Sequence, residues 1–252
     1  RYDIGGRLRM QIYRYTDFLS DINTNVSREA TERFIREKAF RRKNSITMYN
    51  GIECRKFVHN PDRAAAVRVQ YNIAPEELLL LHAGRLTAAK NQANLLRAFA
   101  WAHERNPKLR LVVIGKGELH DTLQQQIEQL GISFCAVLAG AHPNVADFYG
   151  AADVFVMSSD WEGMPMTILE AMASGCPIVT TDVGGADETV VDRRWIVPTG
   201  ESQQLGECLL RMAELPAQER RTIGERNLEA SQAFDFSVVG RKWEELYRSG
   251  QL

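Results

Sequence analysis

The chain has 252 residues, of which 44% are hydrophobic and 25% charged, and a formal net charge of −1 at neutral pH. This composition is that of an ordinary folded protein of one or two domains, and no apolar run approaches the ~18 residues that a membrane-spanning helix needs. We therefore expect neither a membrane span nor a signal peptide. The scattered cysteines lack the spacing of a disulfide framework or a zinc site, which predicts a reducing, cytoplasmic setting.

Charge is distributed unevenly along the chain. Residues 1–56 carry 13 Lys and Arg against 7 Asp and Glu, whereas the remainder carries 18 against 25. A basic segment can attract an anionic lipid surface or an acidic acceptor. Charge runs more often form a solvated helix face, and we favour that interpretation here.

Before Leu78 the pattern predicts three elements: a strand within 18–26, a helix over 28–38 capped by Ser27, and a strand over 45–49. From Leu78 onward strands alternate with helices, which is typical of a parallel sheet with helices on both faces. The predicted strands cover 78–82, 109–114, 134–138, 154–157 and 177–181, with short extended pieces at 190–191 and 195–197. The predicted helices cover 91–105, 120–130, 144–151 (capped by Asn144), 165–174, 202–213, 218–232 and 238–247. The fold class is therefore α/β with a Rossmann-like sheet.

Two glutamates lie within the most informative stretch, which runs from Asp160 to Pro177. Glu162 lies in the loop after a buried strand, and Glu170 lies eight positions further on, in a short helix that we expect to begin at Pro165. The N-terminus of such a helix favours anions, because its free N–H groups and its dipole both attract negative charge. A phosphate there, with carboxylates for hydroxyls on either side, would suit a nucleotide sugar.

This stretch, Glu162-Gly163-Met164-Pro165 followed by Glu170-Ala171-Met172-Ala173-Ser174-Gly175-Cys176-Pro177, resembles the signature of retaining glycosyltransferases of family 4 (group 1), which build bacterial surface polysaccharides. Other motifs match in the same order: Gly84-Arg85-Leu86 with Lys90-Asn91, Ile114-Gly115-Lys116-Gly117-Glu118, and Val183-Gly184-Gly185 with Glu188. Those enzymes have two Rossmann-like domains facing each other across a cleft, the GT-B architecture. The resemblance covers about residues 45–197 and implies the C-terminal half of such a fold.

The resemblance also implies how the chain is divided. Residues 1–57 match the tail of the N-terminal acceptor domain and the linker, 58–235 the nucleotide-sugar-binding domain, and 236–252 a terminal helix that crosses back toward the N-terminal domain. We therefore expect most of the N-terminal domain to lie outside this sequence. This chain by itself should then bind donor nucleotide but transfer sugar poorly.

Arg85 and Lys90 follow a strand at its carboxyl end, where open α/β sheets bind ligands. Two cations there could neutralise a diphosphate leaving group, the guanidinium as a bidentate donor and the ammonium as a point charge. The alternative is a pair of solvated surface cations. The resemblance assigns both residues to the donor diphosphate and, together with Glu162, to catalysis.

Glu162 could hold sugar hydroxyls and balance positive charge at the anomeric carbon, and Glu170 could accept hydrogen bonds from the ribose. A loop carboxylate in water and a helix-surface charge are the alternatives, although the apolar neighbours of Glu170 favour a function.

The glycine turn at Gly115 is an incomplete dinucleotide fingerprint, since His120 replaces the third glycine, and by itself it is equally a plain tight turn. The resemblance places further donor-binding residues in this turn and in neighbouring loops: Gly84, Gly115, Gly117, Leu138, Ala141, Val145, Gly163, Met164 and Pro165.

The histidines show no metal spacing and no Asp-x-Asp is present, so we predict chemistry without a metal or cofactor. The predicted function is transfer of a hexose from a nucleoside-diphosphate sugar to a sugar or lipid-linked acceptor, with retention, in surface polysaccharide or glycolipid biosynthesis. Peripheral contact with the inner face of the membrane is left open, and no nucleic-acid partner is expected. A nucleotide-sugar 2-epimerase and a non-catalytic nucleotide-binding domain remain alternatives, since a fold does not fix a function.

Overall fold

The computed structural model describes residues 6–249. In chain order its strands are β1 (Asn23–Asn25), β2 (Ser45–Thr47), β3 (Leu78–Ala83), β4 (Leu109–Ile114), β5 (Ala136–Gly140), β6 (Val154–Met157), β7 (Ile178–Thr181) and β8 (Ile196–Val197). Its helices are α1 (Gly6–Thr16), α2 (Arg28–Arg36), α3 (Pro61–Gln70), α4 (Gln92–Arg105), α5 (His120–Gln129), α6 (Val145–Ala151), α7 (Met166–Ala173), α8 (Ala186–Thr189), α9 (Ser202–Glu214), α10 (Ala217–Ser231) and α11 (Phe236–Ser249).

Strands β3 to β8 form one parallel sheet in the order β5-β4-β3-β6-β7-β8. The chain first adds strands on one side of β3 and then returns to add the others on the opposite side, starting with β6. The strand order therefore reverses between β3 and β6, and such a switch point is where open α/β sheets open a crevice for ligands. The predicted α/β fold is confirmed.

The core lies on both faces of this sheet because successive side chains of a strand point in opposite directions. In β3, Leu79 and Leu81 belong to the apolar cluster on one face, together with α3, α6 and α7. Leu80 belongs to the cluster on the other face, with α4, α5 and α9. Helices covering both faces explain why this strand is an almost continuous apolar run.

The N-terminal segment forms a small unit of its own beside the sheet. Strands β1 and β2 pair in parallel, and α2 connects them. Ser27 caps α2 as predicted, since its side chain accepts a hydrogen bond from the backbone N–H of Ala30. The last helix returns to this unit: Phe236 donates its N–H to the carbonyl of Ile52 at 2.9 Å. The proposed division of the chain near residues 57 and 235 remains a prediction, and residues 1–5 and 250–252 of its outer segments lie outside the described range.

Several predicted elements differ from the structure. The strand within 18–26 is only β1, because residues 17–19 form a 3-10 turn, and the strand over 134–138 begins two residues later. Residues 190–191 belong to no strand, and Trp195 ends a 3-10 turn before β8. Three helices, α1, α3 and α8, were not predicted. A signal for α3 is present, since Asn60 caps it and Pro61 occupies its first position.

Candidate functional site

The loops that follow β3 and β6 meet at the switch point and are held together by hydrogen bonds. Asp160 donates its backbone N–H to the carbonyl of Ala89 at 2.9 Å, and the Ser158 hydroxyl donates to the carbonyl of Lys90 at 2.9 Å. The Asn91 side-chain amide donates to an Asp160 carboxylate oxygen at 2.8 Å. Asn91 itself has a left-handed backbone, with φ 44°, which turns the chain from the β3 loop into α4. These bonds fix the Lys90 loop against the Glu162 loop.

Lys90 and Glu162 form an ion pair across this junction. The Lys90 Nζ atom lies 2.5 Å from Glu162 Oε1, and the two side chains are only 16% and 15% exposed. The Ser159 hydroxyl donates to the same oxygen at 2.7 Å. Ser159 is fully buried and was not predicted as a site residue, although a polar residue in the loop that follows a buried strand at a switch point is a usable signal.

Glu170 lies on α7 and is held by Tyr149. The buried Tyr149 hydroxyl donates to Glu170 Oε2 at 2.8 Å. Burial raises the pKa of Glu170, opposed by the Tyr149 hydrogen bond and by the positive charge of Lys90. Lys90 therefore lies within electrostatic reach of both predicted glutamates. Tyr149 was missed because nothing in its sequence position on α6 indicates this contact.

A buried polar pair lies beneath the Lys90 loop. His82 Nδ1 is 3.0 Å from the carbonyl of Val156, so this nitrogen must donate, and Nε2 accepts from the Gln92 amide at 3.2 Å. Burial lowers the pKa of His82 to about 4, which keeps the imidazole neutral. The Gln92 amide also donates to the Arg85 carbonyl at 2.8 Å. This pair supports the backbone of the predicted phosphate-binding turn.

The Arg85 side chain is placed differently from Lys90. It is exposed, and within residues 6–249 its guanidinium makes no hydrogen bond or ion pair. The structure thus pairs Lys90 with Glu162, and the charge of Lys90 acts on Glu170, while Arg85 lies exposed in the adjoining turn.

The predicted glycines allow two turns to touch backbone to backbone. Gly115 has φ 144°, and a Cβ atom added to it would lie 1.8 Å from the Gly84 carbonyl oxygen. A Cβ atom on Gly117 would lie 2.2 Å from the carbonyl oxygen of Leu86. On Gly84 an added Cβ would contact the Lys90 side chain at 3.5 Å. Side chains at the first two positions would force the turns after β3 and β4 apart.

The loop after β5 adjoins these turns. Gly115 donates its N–H to the Gly140 carbonyl at 2.8 Å, and Leu138 pairs with Val113 of β4. Ala141 is exposed, Leu138 and Val145 are half-buried, and Val145 begins α6. The Asn144 side chain makes no capping hydrogen bond, so the predicted Asn144 cap is wrong. His142 Nε2 instead contacts the Ala139 carbonyl at 2.9 Å and orders the loop.

The loop before α7 presents backbone at the crevice. Gly163 is exposed, whereas the Met164 side chain is buried and its sulfur accepts the Asn50 N–H at 3.2 Å. Met164 can therefore offer only its backbone to a ligand. Pro165, expected at the first helical position, is the residue before it: its ψ of 108° is extended, and α7 begins at Met166.

Within residues 6–249, no three or more His, Cys, Asp and Glu side chains are grouped as a metal ion would require. None of the helices described there is both long enough and apolar enough to span a bilayer.

An open parallel sheet with charged residues gathered at its switch point defines an α/β protein of the ligand-binding, doubly wound class. Within that class, residues 64–229 match the model of the family described as "Glycosyl transferases group 1", and the chain belongs to this family. A putative glycosyltransferase of Bacillus subtilis, EpsD, is 31% identical over 194 residues, which are 75% of this chain and 49% of that protein. A GDP-mannose-dependent phosphatidylinositol monomannoside mannosyltransferase of Mycolicibacterium smegmatis is 31% identical over 183 residues, 69% of this chain and 47% of that protein. The chain thus spans about half the length of these relatives.

Solved structures show the same fold. Anabaena Alr3699/HepE, crystallised with UDP, superposes with a TM-score of 0.90 over 99% of this chain and 70% of that one, at 23% identity. A sucrose-phosphate synthase from Thermosynechococcus elongatus gives a TM-score of 0.85 over 98% of this chain and 63% of that one, at 22% identity. At these identities the likeness defines the fold, which is that of GT-B glycosyltransferases.

Proposed function

We propose that this chain forms the donor-binding part of a retaining glycosyltransferase that uses a nucleoside-diphosphate sugar. The observation that carries the proposal is the group at the switch point, where Lys90 pairs with Glu162 and lies within electrostatic reach of Glu170. Around it, two turns contact each other backbone to backbone, because the glycines at the contact carry no side chains. Membership of a glycosyltransferase family, and relatives named for that activity, support the same conclusion.

Each residue has a role in the proposal. Arg85 and Lys90 carry the negative charge of the diphosphate, so no metal ion is invoked for it. Glu162 accepts hydrogen bonds from the sugar and balances positive charge at the anomeric carbon. Glu170, fixed by Tyr149, accepts hydrogen bonds from the ribose. The backbones of Gly84, Gly115, Gly117, Gly163, Met164 and Pro165 line the diphosphate and sugar, and Leu138, Ala141 and Val145 line the nucleobase.

The proposed transfer takes place on one face of the sugar. The bond between the anomeric carbon and the phosphate oxygen breaks, and a bond from the acceptor oxygen to that carbon forms on the same side. The departing phosphate oxygen takes the acceptor proton, so no separate base is required. The cations stabilise the diphosphate most when its charge is fully developed, which is the condition for lowering the barrier.

The acceptor in this proposal is a hydroxyl of a sugar or of a lipid-linked sugar, as in the synthesis of surface polysaccharides or glycolipids. The mannosyltransferase relative is named for a phosphatidylinositol substrate, which supports a lipid-linked acceptor. A lipid-linked acceptor would bring the enzyme to a membrane surface, while the basic excess of residues 1–56 remains better explained by a solvated helix face.

The experiment is calorimetric titration of the chain with UDP, GDP, ADP, CDP and dTDP, followed by the corresponding nucleotide sugars. We expect saturable binding of one nucleoside diphosphate, and weaker binding by Glu170→Gln. Glu214→Gln, which changes an exposed glutamate at the end of α9, is the matched control. Transfer by the protein containing this chain is then followed by NMR of the anomeric proton, with retention expected.

Two results would count against the proposal. Absence of binding to every nucleoside diphosphate would remove its basis. Release of a 2-epimer from donor alone, without acceptor, would instead identify an epimerase.

A further inference from the structure

Glu188, on the short helix α8, reaches across to the first turn of α2 in the N-terminal segment. Its carboxylate accepts the Arg28 N–H on both oxygens at 2.9 Å and the Glu29 N–H at 3.2 Å. The Tyr49 hydroxyl donates to the same carboxylate at 2.8 Å. The Glu188 side chain is only 5% exposed. A buried carboxylate with this many donors is held firmly in one position.

The contact completes the cap of α2. The N–H groups of Arg28, Glu29 and Ala30, the first three residues of α2, are among the four at a helix start that have no partner within the helix. The Ser27 side chain accepts the third, from Ala30, and Glu188 accepts the first two. A carboxylate is favoured there because its negative charge is attracted by the positive end of the helix dipole. The cap of α2 is therefore shared between its own segment and a residue 160 positions away.

The turn that leads to Glu188 lies between α2 and the loop of the candidate site. A Cβ atom added to Gly184 would lie 2.7 Å from the Glu162 carbonyl oxygen and 3.1 Å from Glu29 Oε2. One added to Gly185 would lie 3.1 Å from the Gly163 carbonyl oxygen and 3.5 Å from Ser27 Cβ. The two glycines thus allow α2, the turn and the Glu162 loop to pack in direct succession.

We propose that Glu188 is a positioning residue, which fastens the Gly184-Gly185 turn to α2 and thereby holds the backbone of residues 162–164 at the candidate donor site. The N-terminal segment then takes part in donor binding without touching the donor. The statement about donor binding rests on the proposed function, whereas the statement about backbone order does not.

The test compares Glu188→Gln with Asp187→Asn, a neighbouring carboxylate that pairs on the surface with Arg193. Amide hydrogen exchange is measured without nucleotide. We expect Glu188→Gln to speed exchange in the first turn of α2 and also in residues 162–164 and 183–185, but not in β4 and α5, and Asp187→Asn to change none of these. Faster exchange confined to α2 would overturn the proposal, because it would reveal a helix cap and nothing more. Unchanged exchange everywhere would overturn it as well.

A second measurement addresses the donor. We expect Glu188→Gln to weaken binding of the nucleoside diphosphate that the wild-type chain prefers by about fivefold, the low end of typical coupling between sites. If the wild-type chain binds no nucleoside diphosphate, the proposed function fails while the exchange result still decides the role of Glu188. If Glu188→Gln does not fold, Tyr49→Phe removes one donor to the carboxylate more mildly, and the same exchange pattern is required of it.

Discussion

Lys90 Nζ and Glu162 Oε1 are 2.5 Å apart, in a pair that is mostly shielded from water. The motif predicts different roles for these two residues, Lys90 at the diphosphate and Glu162 at the sugar. Their direct contact means that each also sets the position and charge balance of the other. A diphosphate entering the crevice would bring a second negative charge within reach of the Lys90 ammonium. The pair therefore holds the cation in place before the donor arrives.

Replacing Lys90 with alanine should weaken nucleoside-diphosphate binding by roughly 10- to 100-fold, the equivalent of about 1.5–3 kcal/mol for a hydrogen bond to a charged group. The variant also leaves Glu162 without its cation, which adds repulsion toward the phosphates. Calorimetry measures the effect. Lys108→Ala is the control, since Lys108 is exposed and precedes β4. It therefore lies at the amino ends of the strands, whereas the candidate site lies at their carboxyl ends. Equal affinities of wild type and Lys90→Ala would contradict the assignment.

Replacing Arg85 should weaken nucleotide binding without lowering the stability of the fold. Because its exposed guanidinium has no partner within residues 6–249, Arg85→Ala should change the free energy of unfolding by no more than about 0.5 kcal/mol. The same change should weaken nucleoside-diphosphate binding by about tenfold, as expected for a lost charge-assisted contact. Urea unfolding and calorimetry on one preparation measure both. Arg85→Lys should recover only part of the affinity, because an ammonium cannot bind phosphate oxygens as a fork.

The sequence predicted the sheet well where strands are fully buried. β3, β4, β6 and β7 agree with prediction to within one residue, because their apolar runs are bounded by turns and polar loops. The strand β5 was placed two residues too early, since Phe134 looks like a core residue but is 71% exposed. Hydrophobicity alone cannot distinguish an exposed aromatic residue from a buried one.

Partners within the site were harder to predict than the site residues themselves. The motif supplied Lys90 and Glu162, but their ion pair, and the donation from Ser159, depend on how the loops after β3 and β6 approach each other. Tyr149 precedes Glu170 by 21 positions and lies on a different helix. Such contacts are set by tertiary packing, which local sequence patterns do not encode.

Tyr149→Phe should impair ribose recognition with little change in shape. It removes the donor to Glu170 Oε2, so the pKa of this carboxyl, already raised by burial, should rise further. We expect nucleoside-diphosphate affinity to fall by roughly three- to tenfold, the equivalent of about 0.5–1.5 kcal/mol. The loss should be smaller for the matching 2′-deoxynucleotide, which lacks one of the hydroxyls proposed to contact Glu170.

Calorimetry with the ribonucleotide and the deoxynucleotide, on wild type and variant, gives the coupling between Tyr149 and the ribose directly. Tyr13→Phe, which alters a half-buried tyrosine on α1 that packs against Phe34 and Phe40 away from the candidate site, is the control. An equal loss for both nucleotides would indicate that Tyr149 supports only packing.

His82 should make the stability of the chain fall as the pH is lowered. The pKa of His82 is about 4 in the folded chain, whereas an unperturbed histidine, as in the unfolded chain, has a pKa of 6.5. As the pH falls, the unfolded chain therefore binds the proton before the folded chain does. The stability contributed by the neutral imidazole is fully present above the unfolded pKa and is lost as the pH falls toward the folded pKa. For these two pKa values, linkage gives a loss of about 2 kcal/mol between about pH 7 and pH 5.

His82→Asn keeps an amide donor for the Val156 carbonyl but cannot titrate, so its unfolding free energy should decrease less over this interval. Urea unfolding at the two pH values measures the difference, with the exposed His59→Asn as control. The prediction fails if wild type and His82→Asn lose the same free energy, because the imidazole would then be equally protonated in the folded and unfolded chains.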